Sequence, residues 1–295
     1  MYQKNNYHLP IVSKTMRLQA LLSTGIPVPD FRAQCYHRSN GVALHASCSG
    51  RHRRRTVSAS GSQSSTFNAV KKRKVVEHIC LLKAKRDLSE KDENDMLDYL
   101  YTSQYQMRGI VAISLGRISS DIVENYTHAV VMRFERKEDV TRFYENPFYL
   151  KVLKEHVMPH CQEILNVDYE SEVEDDILSI FRKGEEFNYG VEFLHLIAFS
   201  ENPFAAPAKE ALTFHKRLTE EFPSLIVQST QGSNFNTSSQ EYTHGLVTRF
   251  RSFEAFEMFM GSTEYKETWK SKFEHIIKKT LPIHYSVDPV GKELM

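Results

Sequence analysis

Thirteen histidines are the side chains of this 295-residue sequence best suited to acid–base or metal chemistry. His156 and His160 stand four residues apart, the spacing that presents two imidazoles to a metal ion from one helix face. Pro159 lies between them and removes a backbone donor, so a continuous helix through both is not expected and no metal site is assigned. His78 falls in a run of β-branched and apolar residues, where a histidine either faces a ligand or finds a polar partner inside the protein. His128 and His244 each close the same tripeptide, Tyr126-Thr127-His128 and Tyr242-Thr243-His244, which marks either a shared binding feature or a shared structural one. Cys80 and Cys161 lack CxxC spacing and read as buried free thiols. No GxGxxG, P-loop, GxSxG or HExxH pattern occurs after residue 75, so no catalytic residue is assigned from motifs.

The elements that must position these residues occur twice. Tyr126–Phe134 recurs 116 residues later as Tyr242–Phe250, and the same offset pairs Tyr149 with Tyr265, Lys154 with Lys270 and Tyr169 with Tyr285. Val76-Glu77-His78 matches Val191-Glu192-Phe193 at an offset of 115. Ordered matches at nearly constant offset indicate an internal duplication. Each copy reads as strand, helix, strand, strand, helix, strand. In the first copy the strands are Val75–Lys83, Ile110–Leu115, Tyr126–Phe134 and Ile164–Tyr169. Ser89 and Asp92 resemble a helix-capping pair, and Val140, Phe143 and Tyr144 form a helical stripe ending near Asn146-Pro147. The second copy repeats this order from Glu192 to Val287.

Such a βαββαβ unit folds as a four-stranded antiparallel sheet with helices on one face. Yet the first and third strands carry apolar residues on both faces: Ile79 and Leu81 against Val76 and Leu82, Ala129 and Val131 against Val130 and Phe134. The uncovered face needs a partner, and the other copy's sheet supplies it within the same chain. The fold expected is therefore α+β, two tandem ferredoxin-like units paired as an intrachain barrel. The first spans residues 75–170, the second 191–288, with a polar linker at 171–190. No homo-oligomer is required.

Charge divides the chain. Residues 1–74 hold thirteen Lys/Arg against Asp30 alone, leaving 25 basic and 36 acidic residues from Val75 onward. An acidic body does not suit nucleic acid, whose phosphates need Lys and Arg. No apolar run reaches the ~20 residues that cross a bilayer, so no membrane span is expected. The Ser- and Arg-rich, acid-poor stretch 1–70 has the composition of a disordered transit peptide, its hydroxylated character favouring the chloroplast over the mitochondrion. Cleavage is expected between Ala59 and Val70, and either Met1 or Met16 can serve as the start.

Val76-Glu77-His78, the two Tyr-Thr-His strands, Asn146-Pro147 and Val167-Asp168-Tyr169 together resemble the stress-response A/B barrel (dimeric α/β barrel) family of plants. The resemblance implies stress-related roles that are mostly not enzymatic. It also implies a candidate ligand pocket at His78, Phe193, His128, His244, Phe143, Tyr149 and Tyr265 for a small hydrophobic or aromatic molecule. One relative, olivetolic acid cyclase, cyclises a linear polyketide with a histidine base and an assisting tyrosine. Those positions fall at Tyr149 and Phe143 in the first copy, and at Tyr265 and Phe259 in the second. A phenol of pKa ~10 is a poor base near neutrality and phenylalanine donates no hydrogen bond, so cyclase chemistry by that route is not expected. The family resemblance implies no cofactor beyond a divalent cation held by main-chain carbonyls, here near Gln104–Met107. Haem chemistry, used by other barrels of this topology, is a further alternative.

Overall fold

The computed structural model describes residues 72–119, 124–174, 190–200 and 206–287. The proposed transit peptide, and the linker from residue 175 onward, lie outside them.

The first unit runs β1 (Lys72–Ala84), α1 (Glu90–Gln106), β2 (Ile110–Arg117), β3 (His128–Phe134), α2 (Lys137–Glu145), α3 (Pro147–Val152) and β4 (Cys161–Glu174). The second runs β5 (Val191–Phe199), α4 (Ala206–Glu220), β6 (Ile226–Ser233), β7 (His244–Phe250), α5 (Phe253–Gly261), α6 (Thr263–Thr268) and β8 (Ile277–Ser286). Each unit forms one antiparallel sheet, ordered β2-β3-β1-β4 and β6-β7-β5-β8. These are two tandem ferredoxin-like units, as expected.

Local chemistry sets the helix ends. Ser89 Oγ accepts the Asp92 N–H at 3.1 Å and caps α1. Asn146 Oδ1 takes the Phe148 N–H at 2.8 Å, with Pro147 at the first helical position of α3. Ser252 and Ser262 cap α5 and α6 in the same manner. Both α3 and α6 continue into one wide π-helical turn, Leu153–Val157 and Trp269–Phe273, at matching places in the two units.

The strands are longer than sequence pattern suggests. β1 begins at Lys72 and β4 continues to Glu174 because they pair to their ends, setting Lys72 opposite Glu174 and Lys74 opposite Glu172. Opposite charges facing across an antiparallel pair extend a ladder that apolar patterning alone ends at Tyr169.

Strand alternation then divides the core. Val76, Cys80, Leu82, Val130, Met132 and Phe134 pack beneath the helices of the first unit. The opposite faces, with Ile79, Leu81, Ala129, Val131 and Val167, meet Leu194, Leu196, Val247 and Ile283 of the second sheet. The sheets therefore shield one another within one chain. They also join at both edges. Ser119 N donates to His284 O at 3.1 Å, and Phe235 N donates to Asp168 O at 2.8 Å. Backbone approach is close at these seams: a Cβ at Gly116 would meet the Ser286 carbonyl oxygen, and one at Gly232 the Glu170 carbonyl oxygen.

Candidate functional site

Three groups of polar side chains lie inside this scaffold. The first sits between the sheets. Glu77 on β1 faces Arg133 on β3, and Glu192 on β5 faces Arg249 on β7, as cross-strand partners. All four are fully buried. Arg133 Nη2 donates to Glu77 Oε1 at 2.5 Å and Arg249 Nε to Glu192 Oε1 at 2.9 Å. Arg249 Nη1 also reaches across the interface to Glu77 Oε1 at 3.3 Å. Tyr169 and Thr230 bond to one another at 2.9 Å, and Thr230 donates to Glu77 at 3.2 Å. Burial pushes Glu77 up, but the guanidinium groups of Arg133 and Arg249 outweigh it and hold the carboxyl below its ordinary value. Glu192, for which burial outweighs the attraction of Arg249, lies above its ordinary value. Two positive and two negative charges make a neutral plug that spans both units.

The second group lies under the helices of the first unit. His78 is fully buried on β1, and its Nδ1 is 2.7 Å from Asp168 Oδ1 on β4. The carboxylate calls for a donor there, which places the proton on Nδ1 and leaves Nε2 an acceptor. Nε2 has no hydrogen-bond partner among the described residues. Tyr144 on α2 donates to Asp168 Oδ2 at 2.9 Å, and Asn236, from the second unit, donates to the same oxygen at 2.6 Å. Phe134 and Phe143 pack their rings around the imidazole, with centroids 6.4 and 5.4 Å away. Tyr149 packs against Phe143 with centroids 3.9 Å apart and the rings tilted by 32°, and burial drives its phenol well above the ordinary value.

The matching place in the second unit has different chemistry. Phe193 replaces His78, and His284, the counterpart of Asp168, stacks on Phe256 with centroids 4.7 Å apart. A separate pair appears deeper in that unit. His195 on β5 bonds Thr280 Oγ1 at 2.6 Å and stacks on Trp269, and His215 on α4 bonds Gln231 at 3.1 Å. Burial holds His195 down to about 3 and His215 to about 4. Tyr265, also buried, lies beside Phe259 and Trp269, its phenol raised by burial.

The third group explains the repeated Tyr-Thr-His. Thr127 N donates to Leu82 O at 2.8 Å while its Oγ1 accepts the Ala84 N–H at 2.9 Å, tying β3 to the end of β1. Thr243 does the same with Ile197 O and Phe199 N. The threonine is thus a structural splice in both units. The histidines diverge. His128 Nε2 lies 2.5 Å from Glu93 Oε1, and Arg117 forks onto the same carboxylate. Among the described residues His244 Nε2 meets only Ser233 Oγ, at 3.0 Å, and burial holds the imidazole at about 4. Burial raises Glu93, but the bonds from Arg117 and His128 more than offset this.

Of the residues singled out from sequence, the structure brings His78, Phe143 and Tyr149 together in one core. Phe193 and Tyr265 lie in the second unit's core, and His128 and His244 at the strand ends. His156 stacks on Tyr99 and bonds Asp95 at 2.6 Å. Among the described residues no cluster of three or more His, Cys, Asp or Glu could hold a metal ion, and no helix is long and apolar enough to cross a membrane. Gln104–Met107 lies at the end of α1, where Gln104 Nε2 donates to Tyr101 O and the Met107 N–H to Ser103 O. Sequence reasoning missed Asp168 as the partner of His78, along with Asn236, His195, His215 and the Glu–Arg plug. One signal was available: Glu77 and Arg133 recur as Glu192 and Arg249 on strands that are mostly apolar.

Residues 76–171 match the family described as Stress responsive A/B Barrel Domain. A stress-response A/B barrel domain-containing protein of Arabidopsis thaliana is 27% identical over 216 residues, covering 72% of this chain and 79% of that protein. Among solved structures, an anthrone oxidase-like protein aligns with a TM-score of 0.51 at 9% identity, over 73% of this chain and 91% of its own. At that identity the likeness is one of fold alone.

Proposed function

From the match of residues 76–171 to the stress responsive A/B barrel domain family, we propose a plastid stress-response protein of that family that is non-enzymatic or binds a small hydrophobic or aromatic ligand weakly. The observation that carries this reading is the close contact of the Phe143 and Tyr149 rings. These rings fill the core where the cyclase relative would set its base and its assisting phenol, and a buried phenol pushed above its ordinary pKa does not take a proton near neutrality. The basic, hydroxylated first 70 residues support plastid import, and the constant offset between the units supports descent by duplication. Import of a fluorescent fusion of residues 1–70 into isolated chloroplasts tests the location; exclusion from them contradicts it.

One observation favours a second reading, a polyketide-cyclase-like enzyme or carrier. His78 Nε2 is a buried lone pair whose ring is held by Asp168, Tyr144 and Asn236, an arrangement suited to a base. Melting curves with phenolic and fatty-acid libraries separate the two. Small, unspecific shifts support the first reading. A specific rise of several degrees that disappears in His78→Ala, with turnover of a linear polyketide, establishes the second.

A further inference from the structure

The two Tyr-Thr-His ends share a scaffold but differ in charge, and the difference surrounds an open cleft of about 830 Å³ at the end of the first sheet. Lys83, Lys85, Arg86 and Arg117 line it, with Glu93 the one acidic residue among the described residues of its wall. That carboxylate is already engaged by Arg117 and His128. Among the described residues Lys83 comes no nearer to an acid than 3.9 Å, from the half-exposed Glu163, and Lys85 donates to a carbonyl, Pro159 O. Arg86 is exposed and has no acidic partner among the described residues. A surplus of positive charge therefore converges on a concave site in a body that is acidic overall. Leu88, Ile118 and the buried ring of Tyr126 add an apolar wall. In the second copy, Lys83, Lys85, Arg86 and Arg117 correspond to Ala198, Ser200, Glu201 and Ser233, and none of these is a cation. The scaffold holds without these charges, so they are not needed for the fold.

We propose that this cleft is a binding site for a small amphiphilic anion, its phosphate or carboxylate head held by Lys83, Lys85, Arg86 and Arg117 and its apolar part against Leu88 and Ile118. Guanidinium and ammonium groups around a recessed, partly apolar wall give oxyanions charge-assisted hydrogen bonds in a setting less screened than open surface. The proposal deepens the ligand-binding reading above and moves the ligand from the His78 core to the strand ends.

The test uses the full chain and isothermal titration with phenyl phosphate and with benzoate. Saturable binding of at least one is expected, weakened about tenfold or more in Lys85→Glu/Arg86→Glu. It is retained in Lys278→Glu, which removes an exposed cation from the second unit and controls for charge alone. It is also retained in a natively folded His78→Asn variant, which abolishes any site built on the inner lone pair. Three results overturn the proposal: no saturation by either anion at millimolar concentration, equal loss in Lys278→Glu, or loss in folded His78→Asn. In the last case a ligand-binding function survives and only its place changes.

Discussion

Replacing Glu77 by glutamine removes one charge from a buried, neutral set of four while keeping the side chain's shape. Glu77 is fully buried and receives bonds from Arg133, Arg249 and Thr230, so two guanidinium groups on different units lose their shared counter-charge. Breaking a buried ion pair from one side costs about 3–5 kcal/mol, chiefly because the surviving charge stays buried without compensation. For a body of this size that corresponds to a fall in melting temperature of about 10 °C. The double change Glu77→Leu/Arg133→Met removes one charge of each sign and leaves the Glu192–Arg249 pair intact, so it is expected to cost less than Glu77→Gln alone. Urea and thermal melts of the wild type, Glu77→Gln and the double variant give the comparison. A loss below about 1 kcal/mol for Glu77→Gln, or a double variant weaker than the single, refutes the claim that these charges form one balanced plug across the units.

Further perturbations reach other parts of the structure. Gly116→Ala and Gly232→Ala drive a methyl into a backbone carbonyl of the opposing sheet, and each is expected to lower stability by about 1–3 kcal/mol, measured by denaturant melts. Gly261→Ala, with open space around its Cβ position, serves as the control. Acid should destabilise the second unit well before carboxylates titrate. Burial holds His195 at about 3 and His215 and His244 at about 4, against an unfolded value near 6.5. The unfolded chain therefore binds these protons first, so the stability they support is complete above about pH 6.5 and is lost as pH falls toward the folded values. At pH 5 each histidine lowers stability by about 2 kcal/mol, and a melting temperature that stays flat from pH 7 to 5 contradicts this. Glu192, raised by burial, works in the opposite direction, since a carboxyl whose folded value is raised favours the folded state as pH falls.

The sheet-on-sheet core was legible because Ile79 and Leu81 alternate with Val76, Cys80 and Leu82, and two apolar faces on one strand leave few arrangements. Helix caps were legible where the partner lies within three residues, as at Ser89 and Asp92. The polar sites were not, because their partners are remote. His78 finds Asp168 ninety residues away and, through it, Asn236 of the other unit. A glutamate on a strand reads as solvent-facing until the cross-strand arginine beside it is known, and the Glu77–Arg133 pairing depends on register between β1 and β3. The likeness of His128 and His244 also concealed opposite surroundings: His128 bonds Glu93 of α1, which Arg117 of β2 also grips, whereas Ser233 stands at the place of Arg117 and bonds His244.

The claim on which the account depends is that each sheet's inner face is covered by the other sheet of the same chain. Residues 72–174 produced alone would expose Ile79, Leu81, Ala129, Val131, Val167 and Tyr169 together with the charges of Glu77 and Arg133. Sedimentation equilibrium of that fragment measures the consequence directly. The account predicts self-association, as a dimer that pairs two first units or as larger species, reversed by adding the second unit. A folded fragment that remains monomeric at micromolar concentration, with its inner face in water, would contradict it.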